Sequence, residues 1–463
     1  MNKSTPLIYP TLDLFLYDLR DGLGEYPGEI QRNRQGFWQK IDRDLDEKQL
    51  AELEALESSE ADYVQLANKS FEPPIDGYYC ALQLGDIYAL QLNCSGEYKD
   101  VSTQQRNEET KTLDNLRTLK QLIVSKINQT LERSEIALEG QGTIGQTWVV
   151  SVQIADTNQD PRQLAKECYQ HLTPNSNWKP TFKEQGRLLG ARIFEYWHSP
   201  ENWNQDWELF SSENYHILIC LFPAGKKVAE IREKVDDVYL DLTRLFSYRH
   251  KVVWAYWQSR RLTTNLKNQF LEIRELTVKV RELTNLIQSP RLNLETWQII
   301  LTKSLSILSE YAVNLNDLEF HSHTIRVNIE NYKKWWYKIE REANGYLKPL
   351  GNFSELADEK YLQQVEIDCA NLRPGLRLLE NLIRTIGGIT EIEQTRSDRV
   401  LNRTVAVATS GLVISLMAAA VLIEQFPPAT DVPFFLTSAF LGGIVAGLIP
   451  VAIAFVILKS SYR

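Results

Sequence analysis

The 463-residue chain is poor in glycine and proline, with 22 and 17 residues respectively. Collagen-like and low-complexity chains contain far more of both, and disordered chains fall well below the 43% apolar and 10% aromatic residues found here. Basic residues are not in excess, since 51 Lys and Arg stand against 60 Asp and Glu. The net charge of −9 argues against general nucleic-acid binding, which needs basic patches that neutralise phosphates.

Cysteines are few and scattered, and no C-x-x-C pair occurs among Cys80, Cys94, Cys168, Cys220 and Cys369. An odd, dispersed set fits a reducing compartment better than a disulfide framework or a zinc site. The N-terminus also lacks the basic segment, long apolar core and small-residue cleavage site of a secretory signal. The body of the chain is therefore expected to be a cytoplasmic domain.

Motifs of nucleotide binding and hydrolysis are absent or misplaced. Gly140, Gly142 and Gly145 match G-x-G-x-x-G, but they follow a predicted helix and precede a predicted strand, which reverses the dinucleotide-binding order. A turn is the better interpretation. His321 and His323 could belong to a metal site, although core or solvated histidines are the simpler interpretation. We expect no enzyme activity, no catalytic residue, no protein-bound metal and no evident cofactor.

Two long uncharged runs occur near the C-terminus, at 404–423 and 432–458. A helix of about 20 residues is about 30 Å long, which matches the hydrocarbon core of a bilayer. The alternative is a buried hairpin in a large soluble core, but two such runs joined by a short loop favour the membrane. The sequence therefore predicts a membrane protein with two transmembrane helices.

Charges beside these runs predict their orientation. Basic residues flank the inner ends, namely Arg396, Arg399 and Arg403 before the first run and Lys459 and Arg463 after the second. The connecting loop, 424–431, carries two acids and no base. By the positive-inside rule both termini are cytoplasmic. The predicted localisation is that of a multi-pass integral membrane protein of the cell inner membrane.

Small residues recur at four-residue spacing within both runs, which permits close approach of helix backbones in lipid. They are Gly411, Ser415 and Ala419 in the first run, and Ala439, Gly443 and Gly447 in the second. Chance is the alternative, because glycine and alanine are common in membrane helices. These faces, together with a heptad-like seam upstream, predict a homo-oligomer.

The first half of the chain mixes strand and helix signals. Predicted strands are 77–84, 86–94, 147–155, 191–198 and 216–222, with a hairpin turn at Gly85–Asp86. Predicted helices are 46–66, 107–131 and 161–171. The expected fold class is an α+β (α/β-type) head with a mainly antiparallel sheet, followed by a long helical stalk and two C-terminal transmembrane helices.

Strand signals stop after Gly225, and helical periodicity replaces them. Apolar residues from Leu262 to Ile287 are three or four positions apart, a coiled-coil-like seam. Further helices are predicted at 294–318, 324–346 and 354–395, the last with a kink at Pro374. The predicted domains are 1–225, a cytoplasmic α/β domain; 226–395, the stalk; and 396–463, the transmembrane hairpin.

This layout resembles the CorA-type divalent-cation transporter superfamily, whose members place an α/β domain and long stalk helices before two spans. The family motif Gly-Met-Asn is absent, and the junction reads Leu-Ile-Glu-Gln-Phe-Pro-Pro from Leu422. The resemblance implies a homopentamer whose first spans line a pore, with a divalent cation at the gate. On this basis Glu424 and Gln425 are candidates for the pore mouth, and Thr409, Ser410 and Ser415 for its lining.

Two functional hypotheses follow. The first is a CorA-like oligomeric channel or transporter for metal ions, gated by its cytoplasmic domain and different from a standard magnesium-selective one. The alternative is a membrane-anchored oligomeric sensor or scaffold, or a signal-activated membrane effector, without selective transport. The expected partners are other copies of the chain and the lipid bilayer, and nucleic acid is not expected.

Overall fold

The computed structural model describes residues 6–22, 26–42, 44–58, 61–128, 142–173, 181–182, 184–285 and 294–394. These residues form two compact units. The first unit contains the described residues of 1–261 and 318–367, and the second unit contains those of 262–317 and 368–394.

The described strands all belong to the first unit. They are β1 (Leu7–Leu19), β2 (Val64–Ser70), β3 (Ile75–Leu84), β4 (Ile87–Glu97), β5 (Thr110–Lys111), β6 (Gly145–Ile154), β7 (Gln185–Leu188), β8 (Ala191–His198) and β9 (Tyr215–Phe222). They form one sheet in the order β2-β3-β4-β1-β6-β9-β8-β7, and β5 pairs with β1.

The described helices range from seven to 58 residues in length. They are α1 (Pro27–Trp38), α2 (Glu47–Leu56), α3 (Asp114–Asn128), α4 (Pro161–Leu172), α5 (Trp207–Glu213), α6 (Val228–Asn285), α7 (Leu294–Glu342), α8 (Lys348–Leu356) and α9 (Gln363–Gln394). A π-helical turn, Ala357–Leu362, joins α8 to α9. Both α6 and α7 contribute residues to each unit.

Several local predictions are confirmed. Strands β3 and β4 form the predicted hairpin, and Gly85 in its turn has a φ of 58°, which glycine adopts without strain. Helix α4 begins at the predicted Pro161, where the Asp160 side chain accepts a hydrogen bond from the backbone N–H of Arg162. The helix predicted at 46–66 is wrong in its second half, because it ends at Leu56 and β2 follows.

The predicted fold class needs correction in its sheet. The head is α+β with long helices, but the sheet is mixed, because β6 and β9 pair in parallel while the other paired strands are antiparallel. Parallel neighbours require a crossover connection, and here that connection contains α4, β7, β8 and α5. Alternation along one strand does not report the direction of its partner, so the pattern could not reveal this pair.

Strand β1 lies inside the sheet and was not predicted. Its residues alternate between two buried faces, as period-2 geometry requires. Leu14 and Leu16 join the core formed with α1, α3 and α4. On the opposite face, Phe15 packs on Phe246 of α6 and the Tyr17 hydroxyl donates to the carbonyl of Thr243 at 2.8 Å. Because both faces are buried, the strand reads as an apolar run rather than as an alternating one.

The first unit therefore has three layers, with α1, α3 and α4 on one face of the sheet and the first half of α6 on the other. Each fully buried large apolar side chain contributes about 1.5–3 kcal/mol to stability. The α6 face of the sheet also carries polar residues, and these residues form the candidate site described below.

The membrane predictions are contradicted. Among the helices in the described ranges, none combines the length and the apolar composition needed to cross a bilayer. Charged side chains recur along the longest of them, α6, α7 and α9, and they make such a crossing costly. The predicted spans 404–423 and 432–458 lie outside the described residues. The predictions of two transmembrane helices, of a multi-pass membrane protein and of an inner-membrane localisation are corrected accordingly.

The second unit consists of packed helical segments. The seam predicted on α6 is confirmed, since Leu266, Ile273 and Val280 are buried. Helix α7 is one continuous helix where two were predicted, and α9 continues through Pro374. The Tyr311 hydroxyl of α7 donates to the carbonyl of Leu372 in α9 at 2.6 Å. This bond joins two of the helices around a shared core.

Two glycines of α9 predict opposite mutational effects. A Cβ on Gly375 would overlap the Tyr311 hydroxyl and approach the Phe270 ring, whereas nothing lies within 4 Å of a Cβ on Gly388. We expect Gly375→Ala to destabilise the second unit by about 1–3 kcal/mol through overpacking. We expect Gly388→Ala to stabilise it by up to about 1 kcal/mol through helix propensity. Hydrogen exchange of α9 amides measures both, and protection that rises in both variants would contradict the packing.

Candidate functional site

A cavity of about 240 Å³ lies in the first unit between the sheet and the first turns of α6. Strands β1, β3, β4, β6 and β9 form its floor and α6 forms its roof. Its strand residues are Ile8, Tyr9, Thr11, Tyr78, Asn93, Ser151, Val152, Gln153 and Phe222. Its α6 residues are Val228, Ile231, Arg232, Glu233, Val235, Asp236 and Tyr239.

An irregularity in β1 places Tyr9 in this cavity. The pairing of β1 with β6 shifts between Ile8 and Thr11, and Tyr9 has a φ of 43°, a left-handed conformation that is rare outside glycine. The Tyr9 hydroxyl donates to the carboxylate of Asp76 at 2.7 Å and accepts from the Arg232 guanidinium at 2.7 Å. Strained residues held in this way concentrate at functional sites.

Helical periodicity brings the α6 residues together. Positions 228, 231, 232, 235, 236 and 239 follow the three- and four-residue spacing of one helix face. This face mixes valine and isoleucine with Arg232, Asp236 and Tyr239. The side of α6 that covers the sheet therefore carries both polar and apolar residues here, whereas further along the helix Phe246 packs on Phe15.

A buried carboxylate underlies the floor of the cavity. The Asp13 carboxylate accepts from the Asn93 side-chain amide at 2.6 Å and from the Tyr239 hydroxyl at 2.9 Å. Burial raises the pKa of Asp13 to about 6, although the bonds from Asn93 and Tyr239 oppose this rise. The amide oxygen of Asn93 has no hydrogen-bond partner, and Asn93 is only 3% exposed. A buried acceptor without a donor is costly and is unusual in a native fold.

Opposite charges act together inside the cavity. Burial raises the pKa of the Tyr78 hydroxyl, the negative charges of Asp13 and Asp236 raise it further, and Arg232 lowers it. Tyr78 therefore lies within electrostatic reach of both signs of charge. No carboxylate among the described residues lies within 4.0 Å of the Arg232 guanidinium, which leaves its remaining N–H groups available to a ligand.

A second polar cluster lies deeper, between the sheet and α6. The Thr147 hydroxyl is 2.8 Å from His216 Nδ1 and 2.7 Å from His250 Nε2, and His216 Nε2 is 3.0 Å from the Glu195 carboxylate. Burial, followed by the Arg249 charge, holds the pKa of both histidines well below 6.5. Both rings are therefore neutral at pH 7.

Hydrogen-bond logic assigns the tautomers of this cluster. Because a carboxylate only accepts, His216 Nε2 carries the proton and Nδ1 accepts from Thr147. The Thr147 oxygen then accepts from His250 Nε2–H, and His250 Nδ1 keeps a lone pair without a partner. Gly145 leaves room for this ring, because a Cβ there would lie 2.5 Å from Nδ1.

The order Thr147, His216, Glu195 matches the nucleophile, base and orienting acid of a hydrolase triad. No substrate can reach it, since Thr147 is fully buried and His216 is only 2% exposed. The void beside Glu195 measures about 10 Å³, room for about one water molecule. This cluster anchors α6 to β6, β8 and β9, and it is not an active site.

The site residues predicted from the sequence are not among those that form the cavity. All of them lie beyond residue 394, outside the described residues. They are the pore-mouth candidates Glu424 and Gln425, the pore-lining candidates Thr409, Ser410 and Ser415, the packing residues Gly411, Ala419, Ala439, Gly443 and Gly447, and the charges Arg396, Arg399, Arg403, Lys459 and Arg463.

Two weaker motifs are resolved by the structure. Gly145 begins β6, so the glycine motif leads into a strand as its turn interpretation required. His321 is buried, and burial lowers its pKa to about 4. Within the described ranges, no three His, Cys, Asp or Glu side chains converge on a position that could hold a metal ion.

Two features of the sequence could have pointed to residues in and beneath the cavity. Asp13 interrupts the apolar residues between Leu12 and Tyr17, and a charge in a strand buried on both faces requires hydrogen-bond partners. Arg232 and Tyr239 are seven residues apart in an amphipathic helical pattern, on the same face as apolar residues. Neither feature predicts which residues these side chains contact, because the contacting residues lie on other strands and helices.

No family model, no curated protein and no solved structure matches the chain. The expectations of a CorA-like protein and of ion or metal ion transport therefore have no support from the comparisons or from the described residues. The homo-oligomer, the pentamer and the divalent cation stay predictions.

Proposed function

We propose that the first unit is a ligand-binding domain that holds a small organic molecule in the cavity between the sheet and α6. One observation carries this proposal: the cavity gathers polar side chains whose hydrogen-bonding capacity the protein leaves unused. Asn93 has a buried amide oxygen without a donor, and Arg232 has no carboxylate partner among the described residues. Concave sites with a few convergent polar groups and apolar walls are the usual form of small-molecule sites.

The strained conformation of Tyr9 supports the same proposal. Its left-handed backbone places the phenol between Arg232 and Asp76, at a cost of about 1–3 kcal/mol. The fold tolerates this cost where other contacts hold the residue in place, and ligand-binding positions are the common case. The proposal keeps the sensor part of the second sequence hypothesis. Ion transport stays an untested prediction, and its membrane premise is the part that the structure contradicts.

Thermal-shift measurements test this function with a panel of free amino acids, dicarboxylates, nucleoside monophosphates, sugar phosphates and polyamines. We expect at least one compound to raise the melting temperature of the full-length protein in a concentration-dependent way. Ser151→Phe places a ring in the cavity and should weaken that binding about tenfold or more. Ser102→Phe, at an exposed turn, is the matched control and should not change it.

Two results would contradict the proposal. One is the absence of any shift across the panel. The other is a compound that binds wild type and Ser151→Phe with equal affinity, because such a compound occupies another part of the molecule.

A further inference from the structure

Arg232 and Asp236 carry opposite charges and both line the cavity, with Asp236 exposed at its rim. They are four residues apart on α6, about 6 Å along the helix axis, a spacing at which Arg and Asp commonly pair. Here they do not pair within 4.0 Å, and Arg232 donates to the Tyr9 hydroxyl instead. Both charges nevertheless act on the Tyr78 hydroxyl across the cavity. A ligand that binds beneath this turn of α6 therefore meets a cation and a carboxylate on the same helix.

Ligands with a single charge suit this arrangement poorly. A simple anion would face Arg232 but would also lie near the carboxylates of Asp13, Asp236 and Glu233. A simple cation would face Asp236 and Glu233 but would be repelled by Arg232. The Asp13 carboxylate itself is not available, because Asp13 is fully buried beneath the residues that line the cavity.

An α-amino acid carries a positive ammonium group and a negative carboxylate group, both attached to its α-carbon. Its carboxylate can accept two parallel hydrogen bonds from a guanidinium, which is the preferred geometry of arginine with carboxylates. Its ammonium group can then donate to Asp236 and Glu233, which are exposed at the rim of the cavity. The Asn93 amide oxygen, which has no donor, adds a polar group on the floor.

One part of the remaining wall is apolar, beside the polar side chains of Thr11, Ser151 and Gln153. Val228, Ile231 and Val235 of α6 face Val152 of β6 and Phe222 of β9. A side chain of aliphatic carbon that leaves water here gains about 25 cal/mol per Å² of buried surface. The walls therefore favour a ligand with an apolar side chain over a purely polar one such as glycine.

We propose that the ligand of this cavity is a free α-amino acid with an apolar side chain, bound through its carboxylate to Arg232 and through its ammonium group to Asp236. This inference rests on the proposed ligand-binding function and specifies the chemical class of its ligand.

Isothermal titration of the full-length protein tests the class with matched probes. L-leucine has both charges and an apolar side chain, isocaproate lacks the ammonium group, isopentylamine lacks the carboxylate, and glycine lacks the side chain. We expect leucine to bind, and each of the other three to bind about tenfold more weakly or not at all.

Charge-removing variants assign the two ends of the ligand. Arg232→Gln should weaken leucine about tenfold or more and leave isopentylamine unchanged or tighter. Asp236→Asn should weaken leucine by a similar factor and leave isocaproate unchanged or tighter. Lys234→Gln and Asp237→Asn are the matched controls, because both residues are exposed on α6 and do not line the cavity. Melting curves of all four variants verify that they fold.

The outcomes separate the ligand class from the proposed function. If isocaproate, isopentylamine or another panel compound binds better than leucine and Ser151→Phe blocks it, the zwitterion is wrong and the ligand-binding function stands. If leucine binds with equal affinity to Ser151→Phe and to wild type, the amino-acid proposal is wrong. If no compound binds, both proposals fail.

Discussion

Lowering the pH from about 6 to about 5 is expected to reduce the free energy of unfolding of the first unit by about 3 kcal/mol. His216 and His250 are neutral in the folded protein because burial, followed by the charge of Arg249, depresses their pKa well below 6.5. Burial also lowers the pKa of His321 to about 4. In the unfolded chain each imidazole takes up a proton near pH 6.5.

The sign follows from proton uptake. Since the unfolded state binds these protons and the folded state does not, stability is lost as the pH falls below about 6.5. Asp13 acts in the opposite direction, because its folded pKa of about 6 exceeds the usual value of 3.8 and it gains a proton while folded. Three histidine protons against one aspartate proton leave about two protons taken up on unfolding, at about 1.4 kcal/mol per pH unit each.

Urea denaturation across this pH range, followed by tryptophan fluorescence, measures the slope. His250→Gln keeps a donor for Thr147 and should reduce the slope by about one proton, or about 1.4 kcal/mol per pH unit. Asn68→Gln, at an exposed position of β2, removes no titratable group; it is the control and should leave the slope unchanged. A slope that His250→Gln does not alter would show that this imidazole titrates normally in the folded state.

Replacing Glu195 with Gln is expected to destabilise the first unit by about 3–5 kcal/mol. The amide can still accept from His216, so the hydrogen bond at 3.0 Å survives. The negative charge is lost, however, and the Arg249 guanidinium lies 3.8 Å from it in a buried position. Arg249 is then a buried cation whose remaining neighbours include the rings of Trp197 and Phe353.

The double variant Glu195→Gln/Arg249→Met isolates this electrostatic contribution. A thioether fills the space between the two rings and needs no counter-charge. We expect the double variant to be more stable than Glu195→Gln alone, with a coupling energy of about 1–3 kcal/mol between the two positions. Equilibrium denaturation of the four members of the cycle measures it, and strictly additive effects would mean that the charges do not interact.

Much of the local structure could be predicted from sequence, because it depends on neighbours along the chain. The β3–β4 hairpin follows from two apolar runs around Gly85, and the α6 seam follows from apolar residues three or four positions apart. These patterns report backbone conformation within a few residues. They do not report which element packs on which.

The C-terminal uncharged runs show how far composition alone can support a prediction of structure and function. Their length and lack of charge led to two spans, a membrane localisation and a CorA-type resemblance, yet no described helix is long and apolar enough for a bilayer. The pore and packing candidates all lie beyond residue 394, and the cavity uses none of them.

By itself, the sequence determined an α+β head, the positions of most strands and the long helices that follow, because each depends on local periodicity and turn chemistry. Only the tertiary structure decided that β6 and β9 run in parallel and that β1 is an inner strand. The tertiary structure also forms the cavity, where Arg232 donates a hydrogen bond to Tyr9, a residue 223 positions away in the chain. Contacts of this kind form where surfaces from distant segments are buried against each other. Which surfaces pair in this way depends on the whole fold and not on any one segment.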